Sequence, residues 1–210
     1  MIQIDHISFS YPDKTIFHDF SMKIGQGERI CLMGPSGTGK TTLLSLLTGH
    51  LQAESGSITC IGTCSISMVF QEDRLCKRAS AVQNILLGCC RGMMPQMSFE
   101  MRQEENDRFS QIAKRDRVIC HLDRVDLAQA ADLPAEKLSG GMKRRVCLVR
   151  AMLSQSNLVI LDEPFTGMDS AHKRQAIDYI DQSLCGRALL MVSHERQDAD
   201  TLGARIVCLS

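Results

Sequence analysis

The stretch that decides the fold of this chain is Gly34-Pro35-Ser36-Gly37-Thr38-Gly39-Lys40-Thr41-Thr42. It matches the phosphate-binding pattern G-x-x-x-x-G-K-[ST] at every defined position. The apolar run before it, Ile30-Cys31-Leu32-Met33, predicts a buried parallel strand, and the leucine-rich run at 43–47 predicts a helix. A strand, a glycine-rich turn and a helix in this order form the context in which such a loop binds phosphate. The stretch therefore predicts a binding site for a nucleoside triphosphate.

The chemistry of this site follows from three kinds of group. Its glycines let successive backbone N–H groups turn towards one anion, and the positive end of the following helix adds to that field. Lys40 is expected to reach the β- and γ-phosphates, and the Thr41 hydroxyl is expected to bind Mg²⁺. We therefore assign all of residues 34–42 to nucleotide binding.

Charge and hydropathy restrict the class of protein. Lys and Arg together number 24, as do Asp and Glu, and this balance argues against a nucleic-acid partner. A chain of 210 residues is long enough for one α/β domain that carries an insertion. The longest apolar runs are far shorter than the roughly 20 residues of a membrane span, and no signal segment opens the sequence. We expect the chain to stay in the cytosol.

The ten cysteines are expected to be reduced and mostly structural, because nothing else in the sequence indicates a secreted protein. Several of them, including Cys31, Cys147 and Cys208, lie in apolar runs, where cysteine acts as a small hydrophobic residue. Cys60 and Cys64 lack the second close pair that would indicate a zinc site.

The sequence pattern divides one domain, residues 1–210, into an α/β core and a helical subdomain. Residues 1–72 and 155–210 show strand and turn patterns, whereas residues 73–154 change to a helical pattern. Within the helical part, the charge-rich segment from Met101 to Asp116 is typical of a solvated helix face. Residues 1–10 alternate between apolar and polar and predict an edge strand.

A second apolar run ends in two carboxylates. Residues 158–161 are Leu-Val-Ile-Leu, and Asp162 and Glu163 follow. Such a run predicts a buried parallel strand that places its acids at the C-terminal edge of the sheet, where ligands bind. Asp162 is expected to hold the Mg²⁺ shell, directly or through water, and Glu163 to polarise the attacking water. Another buried strand, beginning at Leu189, ends at His194.

Two further segments place polar groups where they could meet a phosphate. A predicted strand over 66–70 ends at Gln71, whose amide would lie where the loops gather. Ser139 is a natural cap for a helix that begins with Gly140 and Gly141, so it offers a second helix N-terminus to an anion. Taken alone, these segments are better explained as a polar strand end and an ordinary serine-capped helix.

Together these segments resemble the ATP-binding cassette (ABC) ATPases, the motor subunits of ABC transporters. The resemblance covers essentially the whole chain, and the matching segments follow the family's order. They are Tyr11 as the aromatic that stacks on adenine, Gly34–Thr42 as Walker A, Gln71 as the Q-loop glutamine, Leu138–Met142 as the signature, Leu158–Glu163 as Walker B, Asp169 as the D-loop aspartate and His194 as the switch histidine. Met142 departs from the glutamine that is usual in the signature, which puts in doubt any contact of that side chain across a dimer.

The resemblance implies a fold class and an activity. The fold class is α/β, a P-loop NTPase with a RecA-like core, an antiparallel β edge and an inserted helical subdomain that carries the signature. The activity is hydrolysis of ATP with Mg²⁺, with Glu163, His194 and Gln71 as the catalytic residues. Thr41, Gln71 and Asp162 would surround the metal. In a head-to-tail homodimer, residues 139–141 of a second copy would complete each ATP site, and Asp169 is a further nucleotide-binding residue.

The resemblance also implies partners in a membrane. They are integral membrane permease subunits, which would dock around residues 71–75 and hold the chain at the cytoplasmic face as a peripheral protein. The segments 70–75 and 162–165, together with Met142, look most like importer ATPases of the nitrate, sulfonate and taurine group, which implies an extracytoplasmic solute-binding protein as well. Two alternatives stay open: an export or lipoprotein-release ATPase, and a soluble ABC ATPase that serves no transporter. The cargo is not encoded in this chain.

Overall fold

The computed structural model of the chain describes residues 1–62, 64–91 and 108–209. These residues form two compact units. The first unit contains residues 1–62, 64–68, 156–163 and 184–209, and the second contains residues 69–91, 108–155 and 164–183. Residues 164–183, which the sequence pattern assigned to the core, thus cluster with the helical residues. Of the charge-rich segment 101–116, the part up to residue 107 lies outside the described residues.

Eight strands in the described ranges form two sheets. A three-stranded sheet has the order β2-β1-β4, where β1 is Ile2–Tyr11, β2 is Lys14–Ile24 and β4 is Ser55–Cys60. A five-stranded sheet has the order β5-β6-β7-β3-β8. Its strands are β3 (Arg29–Met33), β5 (Ile66–Val69), β6 (Leu158–Asp162), β7 (Ala188–Val192) and β8 (Arg205–Cys208). The first sheet is antiparallel, and the strand pairs β3–β7, β3–β8 and β6–β7 of the second are parallel.

The helices are distributed over both units. The first unit holds α1 (Lys40–Leu47) and α6 (Arg196–Thr201). The second unit holds α2 (Ala81–Arg91), α3 (Arg108–Asp123), α4 (Gly140–Leu153) and α5 (Ser170–Ser183). Helix α4 follows the predicted signature serine, Ser139. None of the described helices combines the length and the apolar character that crossing a membrane requires.

The position of β1 differs from the prediction. The sequence predicted an edge strand, but β1 is the central strand of its sheet and pairs with both neighbours, for example Ile4 with Met22 and with Ile58. The prediction was wrong because alternation reports only that one face is buried, as Ile2, Ile4 and Ile7 are. Inner strands of a sheet with one solvated face show the same alternation.

The core of the first unit brings both sheets and α1 together. Ile4 of β1, Leu44 of α1, Ile160 of β6 and Leu190 of β7 belong to one apolar cluster and are fully buried. Every residue of β6 and of β7 is buried. Such two-sided burial explains why these strands read as continuous apolar runs and not as alternating ones.

Shortening Ile160 to valine is expected to lower the free energy of unfolding by about 0.5–1.5 kcal/mol, because a buried methyl group is lost from a packed core. Urea denaturation measures this change. Ile61→Val removes the same group from a side chain that is 59% exposed, and its effect should stay within roughly 0.5 kcal/mol. Equal losses in the two variants would contradict the buried position of Ile160.

Candidate functional site

The C-terminal ends of three parallel strands set the position of the site in the first unit. Leu32 of β3 pairs with Val192 of β7, and Val192 pairs with Asp162 of β6. The strands therefore end in register at the same edge of the sheet. Ligands bind at this edge in open α/β sheets. Three segments leave from it: the loop that begins at Gly34, the residues after Val192, and Glu163.

The glycine-rich loop leaves the start of α1 open to an anion. Gly39 is the residue before the helix, its φ is 95°, and no side chain caps the helix N-terminus. A Cβ atom at this position would lie 2.4 Å from Cγ2 of Ile16, so only glycine fits there. The first backbone N–H groups of α1 thus lack a side-chain acceptor, which is the arrangement that binds phosphate.

Lys40 lies inside the loop, where its ammonium is almost fully buried. The residue is 7% exposed, and Nζ donates to the carbonyl oxygens of Gly34 at 2.7 Å and Pro35 at 2.8 Å. A lysine ammonium has three donors, so a third remains for a ligand. The loop therefore holds a positive charge at its centre, and the cradle fits the phosphates of a nucleotide.

A second lysine near the loop was missed by the sequence analysis. Nζ of Lys14 donates to the carbonyl oxygen of Gly37 at 2.8 Å and so ties the turn between β1 and β2 to the loop. The same turn begins after Tyr11, whose ring is 45% exposed and meets Phe9 edge-on with ring centroids 5.1 Å apart. No local sequence pattern predicts the contact between Lys14 and Gly37, because the two residues are 23 positions apart.

At the same sheet edge, Glu163 and His194 form a pair. Oε1 of Glu163 lies 2.9 Å from Nε2 of His194. Glu163 has a φ of 47°, an unusual value for a residue other than glycine, and its N–H donates to the carbonyl oxygen of Val192 at 3.1 Å. Strained backbone of this kind concentrates at functional sites. The turn after β6 thus presents a carboxylate that an imidazole holds in place.

The residues predicted around the metal fit a hard cation. Asp162, which is 3% exposed, supplies carboxylate oxygens at the end of β6, and Thr41 in the first turn of α1 supplies a hydroxyl. Oxygen donors of this kind are those that Mg²⁺ prefers. Gln71, the third predicted ligand, offers an amide oxygen and belongs to the second unit.

In the second unit, three of the predicted segments line one cavity of about 440 Å³. They are Gln71, the start of α4 at residues 139–141, and Asp169. Oγ of Ser139 accepts from the N–H of Met142 at 3.2 Å, so the predicted cap is present. A Cβ at Gly141 would lie 3.2 Å from the carbonyl oxygen of Gly167, which explains why a small residue is needed there.

Two buried arginines of α4 hold the segments around this cavity, and the sequence analysis missed both. The guanidinium of Arg144 donates to the carbonyl oxygens of Phe70 and Gln71 and pairs with Asp73 at 3.6 Å. Arg145 donates to the carbonyl oxygen of Val125 at 2.7 Å, and burial lowers the pKa of its guanidinium. Both arginines lie within three positions of the end of the predicted signature, and this closeness was the feature of the sequence that could have indicated their role.

Asp169 caps α5 and contacts a histidine that the sequence analysis did not consider. Its Oδ1 accepts from the N–H groups of Ala171 and His172 at 3.0 Å, and its Oδ2 lies 2.5 Å from Nδ1 of His172. The backbone N–H of His172 and then its ring lower the pKa of Asp169 to about 2. The other ring nitrogen of His172 lies 3.6 Å from Oδ2 of Asp126. An Asp followed by His three positions later at a helix start is a recognisable signal for this contact.

Acid stability is expected to depend on Asp169. Because its pKa in the folded protein is lower than the ordinary value of 3.8, its stabilising effect is complete above that value and is lost as the pH falls towards about 2. Asp169→Asn should therefore flatten the loss of stability between roughly pH 5 and 2, measured by urea unfolding at several pH values. His172→Ala keeps the backbone donors and should flatten it only in part. An unchanged pH profile in Asp169→Asn would contradict the cap.

A glycine-rich loop with a buried lysine after one parallel strand, and acids at the end of another strand of the same sheet, define a P-loop nucleoside triphosphatase. Comparison with known proteins narrows this class. The sequence model described as ABC transporter matches residues 17–166, and the chain belongs to this family. It is the nucleotide-binding ATPase subunit of an ABC transporter, and its ligand is ATP.

Two curated relatives illustrate the sequence similarity. The thiamine import ATP-binding protein ThiQ of Shigella boydii serotype 4 is 33% identical over 221 residues, which cover 100% of this chain and 88% of the relative. The protein of the same name from Aliivibrio fischeri is 33% identical over 215 residues, which cover 97% and 85%.

A solved structure illustrates the similarity in fold. The post-hydrolysis dimer of the ATP-binding cassette MJ0796 bound to ADP and Pi superimposes with a TM-score of 0.82 at 22% identity, covering 100% of this chain and 94% of that chain. The predicted α/β P-loop fold is thereby confirmed.

Proposed function

We propose that this chain is the ATPase subunit of an importer, that it works with Mg²⁺ as a head-to-tail homodimer, and that it acts at the cytoplasmic face of the membrane on permease subunits. The observation that carries the catalytic part is the contact between Glu163 and His194 at the sheet edge from which the phosphate loop also leaves.

Glu163 is the general base of the hydrolysis reaction. Its carboxylate accepts a proton from, or orients, the water that attacks the terminal phosphate. His194 is the positioning partner: a nitrogen at 2.9 Å fixes the carboxylate and leaves the rest of the imidazole to contact the phosphate or the water. Lys40 and the open start of α1 hold the phosphates, and the exposed ring of Tyr11 offers a stacking surface for adenine.

Mg²⁺ is the cation that the donor set favours. When bound, it neutralises charge on the β- and γ-phosphates. Thr41 and Asp162 supply the hydroxyl and the carboxylate, and Gln71 is the third proposed ligand. Gln71 is also the residue that contacts the permease. Its backbone carbonyl accepts from the guanidinium of Arg144, and its side chain is exposed and so accessible to a partner.

A second copy of the chain would complete each ATP site through the start of α4. Gly140 has open space around it, since a Cβ there would meet nothing within 4 Å, and the residue is exposed. The Ser139 hydroxyl and the N–H groups of residues 140 and 141 are the donors that this surface offers to a γ-phosphate. Asp169, at the rim of the same cavity, would meet the partner as well.

Size-exclusion chromatography tests the dimer. Glu163→Gln, which slows hydrolysis, should form a dimer with ATP and Mg²⁺ and remain a monomer without nucleotide. Adding Ser139→Phe places a bulky ring on the proposed partner face but leaves the phosphate loop intact, so the double variant should bind ATP as a monomer. A dimer of equal stability in both variants would refute the role of α4. A monomer in both, with and without the permease, would refute the sandwich.

Import is the direction that the relatives support. Two relatives that share 33% identity over almost the whole chain carry the name thiamine import ATP-binding protein. Thiamine is therefore the first cargo to test. The likeness of segments 70–75 and 162–165 to the nitrate, sulfonate and taurine group keeps those anions as the second choice. Purification with the native partners distinguishes import from the alternatives, which are export or lipoprotein release and a role outside transport.

Purification of the tagged chain from detergent-solubilised native membranes identifies the system. A multi-span permease at near-equal amounts, with a solute-binding protein beside it, is the expected result. The purified complex should then hydrolyse ATP faster with a thiamine-loaded binding protein than with a taurine- or nitrate-loaded one. A permease without a binding protein would move the assignment to export, and only soluble partners would refute the transport proposal.

A further inference from the structure

Two cysteines of the first unit, Cys60 and Cys64, lie side by side although the ATPase site uses neither. Their thiols are hydrogen-bonded to each other, and both residues are exposed. They line one cavity of about 390 Å³. The same cavity is lined by Ile24, Leu158 and Ala188, which lie at the end of β2 and at the starts of β6 and β7. The thiol pair therefore lies towards the sheet edge opposite to the ATP site.

The backbone on both sides of the pair is held in place. Cys60 pairs with Ile2 in the antiparallel sheet, and the N–H of Ile61 donates to the carbonyl oxygen of Met1 at 2.9 Å. On the other side, the N–H and the hydroxyl of Ser65, the neighbour of Cys64, both donate to Oδ1 of Asn157, at 3.0 and 2.6 Å. These contacts anchor the backbone next to each of the two thiols.

The two thiols differ in reactivity. Burial first, and the hydrogen bond that the Cys64 thiol donates to Cys60 next, raise the pKa of Cys64 to about 11. Since the thiolate is the attacking species, Cys64 is the poorer nucleophile near neutral pH. Cys60 is therefore placed to attack an external disulfide, and Cys64 to resolve the product from within hydrogen-bonding distance.

We propose that Cys60 and Cys64 form a reactive dithiol, a site at which low-molecular-weight disulfides such as glutathione disulfide oxidise the chain to an intramolecular disulfide. In the first step the Cys60 thiolate attacks glutathione disulfide, forms a mixed disulfide and releases one glutathione thiolate, which takes up a proton. In the second step the sulfur of Cys64 attacks the Cys60 sulfur, loses its proton and releases the second glutathione. Two protein thiols and one glutathione disulfide thus give one protein disulfide and two glutathione thiols, and an excess of glutathione reverses the reaction.

Mass spectrometry of the full-length protein tests this site directly. Trypsin cuts after Lys40 and Arg74, so residues 41–74 form one peptide in which Cys60 and Cys64 are the only cysteines. After treatment with glutathione disulfide and alkylation, this peptide should be recovered without alkyl groups and lighter than the reduced peptide by two hydrogen atoms. Exposed Cys120, on helix α3, is the comparison and should end as a mixed disulfide with glutathione.

Single variants separate the two roles. Cys64→Ser should trap glutathione on Cys60, whereas Cys60→Ser should leave Cys64 largely unmodified over the same time. Cys120→Ser is the matched control and should leave the oxidation of peptide 41–74 unchanged. Glutathione on both Cys60 and Cys64 of the wild-type chain would overturn the proposal, as would a disulfide from either residue to Cys185, which lines the same cavity. The readout is independent of ATP hydrolysis, so it neither depends on the proposed transport function nor tests it.

Discussion

Replacement of Glu163 by glutamine is expected to lower the turnover of ATP by roughly 10²- to 10⁴-fold, the range that a general base contributes. The amide keeps the size of the side chain but cannot take a proton from water. Because the phosphate loop is unchanged, the affinity for ATP should be retained. Release of phosphate measures turnover, and equilibrium binding of a fluorescent ATP analogue measures affinity.

A neighbouring acid provides the control for this prediction. Glu195 is exposed, directly follows His194 and would lose its charge in the same way in Glu195→Gln. Turnover of that variant should match the wild-type protein. If Glu163→Gln hydrolyses ATP as fast as Glu195→Gln, Glu163 is not the base, and the attacking water is activated by another group, with His194 as the first candidate.

The contact between Glu163 and His194 also predicts how their effects combine. His194→Ala should lower turnover as well, because the carboxylate loses the group that fixes it. If the pair acts as a unit, the double variant should be little slower than Glu163→Gln alone, since residues that act together are not additive. Full additivity would instead mean that the two residues contribute to separate steps.

Local patterns were enough to predict the elements that carry the site. The glycine-rich stretch and the continuous apolar runs of β3, β6 and β7 each report a conformation that neighbouring residues determine. The same patterns placed Lys40 inside the loop and Glu163 after a buried strand. They also placed His194 after the next one, although the strand itself ends two residues earlier, at Val192. Where a candidate site residue lies next to a regular element, the local pattern was enough to predict its position in the fold.

The parts that the sequence could not provide are contacts between distant residues. Lys14 reaches Gly37 across 23 positions, and Arg144 reaches the carbonyls of Phe70 and Gln71 across 74 and 73 positions. The central position of β1 depends on β4, which lies beyond the phosphate loop and α1 in the sequence. No periodicity encodes a partner so far away, so these features emerge only from the folded structure.

Replacing Lys40 by methionine is expected to reduce the affinity for ATP more than any other single change in the loop. Methionine preserves most of the apolar stem but removes a buried ammonium that donates to Gly34 and Pro35 and has one donor left for phosphate. A hydrogen bond to a charged group contributes about 1.5–3 kcal/mol, so each lost phosphate contact should weaken binding roughly 10- to 150-fold. Isothermal titration with ATP and Mg²⁺ measures the loss.

Because Lys40 is buried, the variant must be shown to be folded before a loss of binding is assigned to the missing charge. Circular dichroism and urea unfolding serve that purpose, and Lys14→Met is the matched comparison. Lys14 also bonds a loop carbonyl, but from the outside and through Gly37 alone, so its loss should weaken ATP binding less. If the two variants bind ATP equally well, the positive charge at the centre of the loop is not what holds the phosphates, and the backbone N–H groups at the start of α1 carry the binding. If both fail while remaining folded, the turn after Tyr11 is as important to the nucleotide as the loop itself.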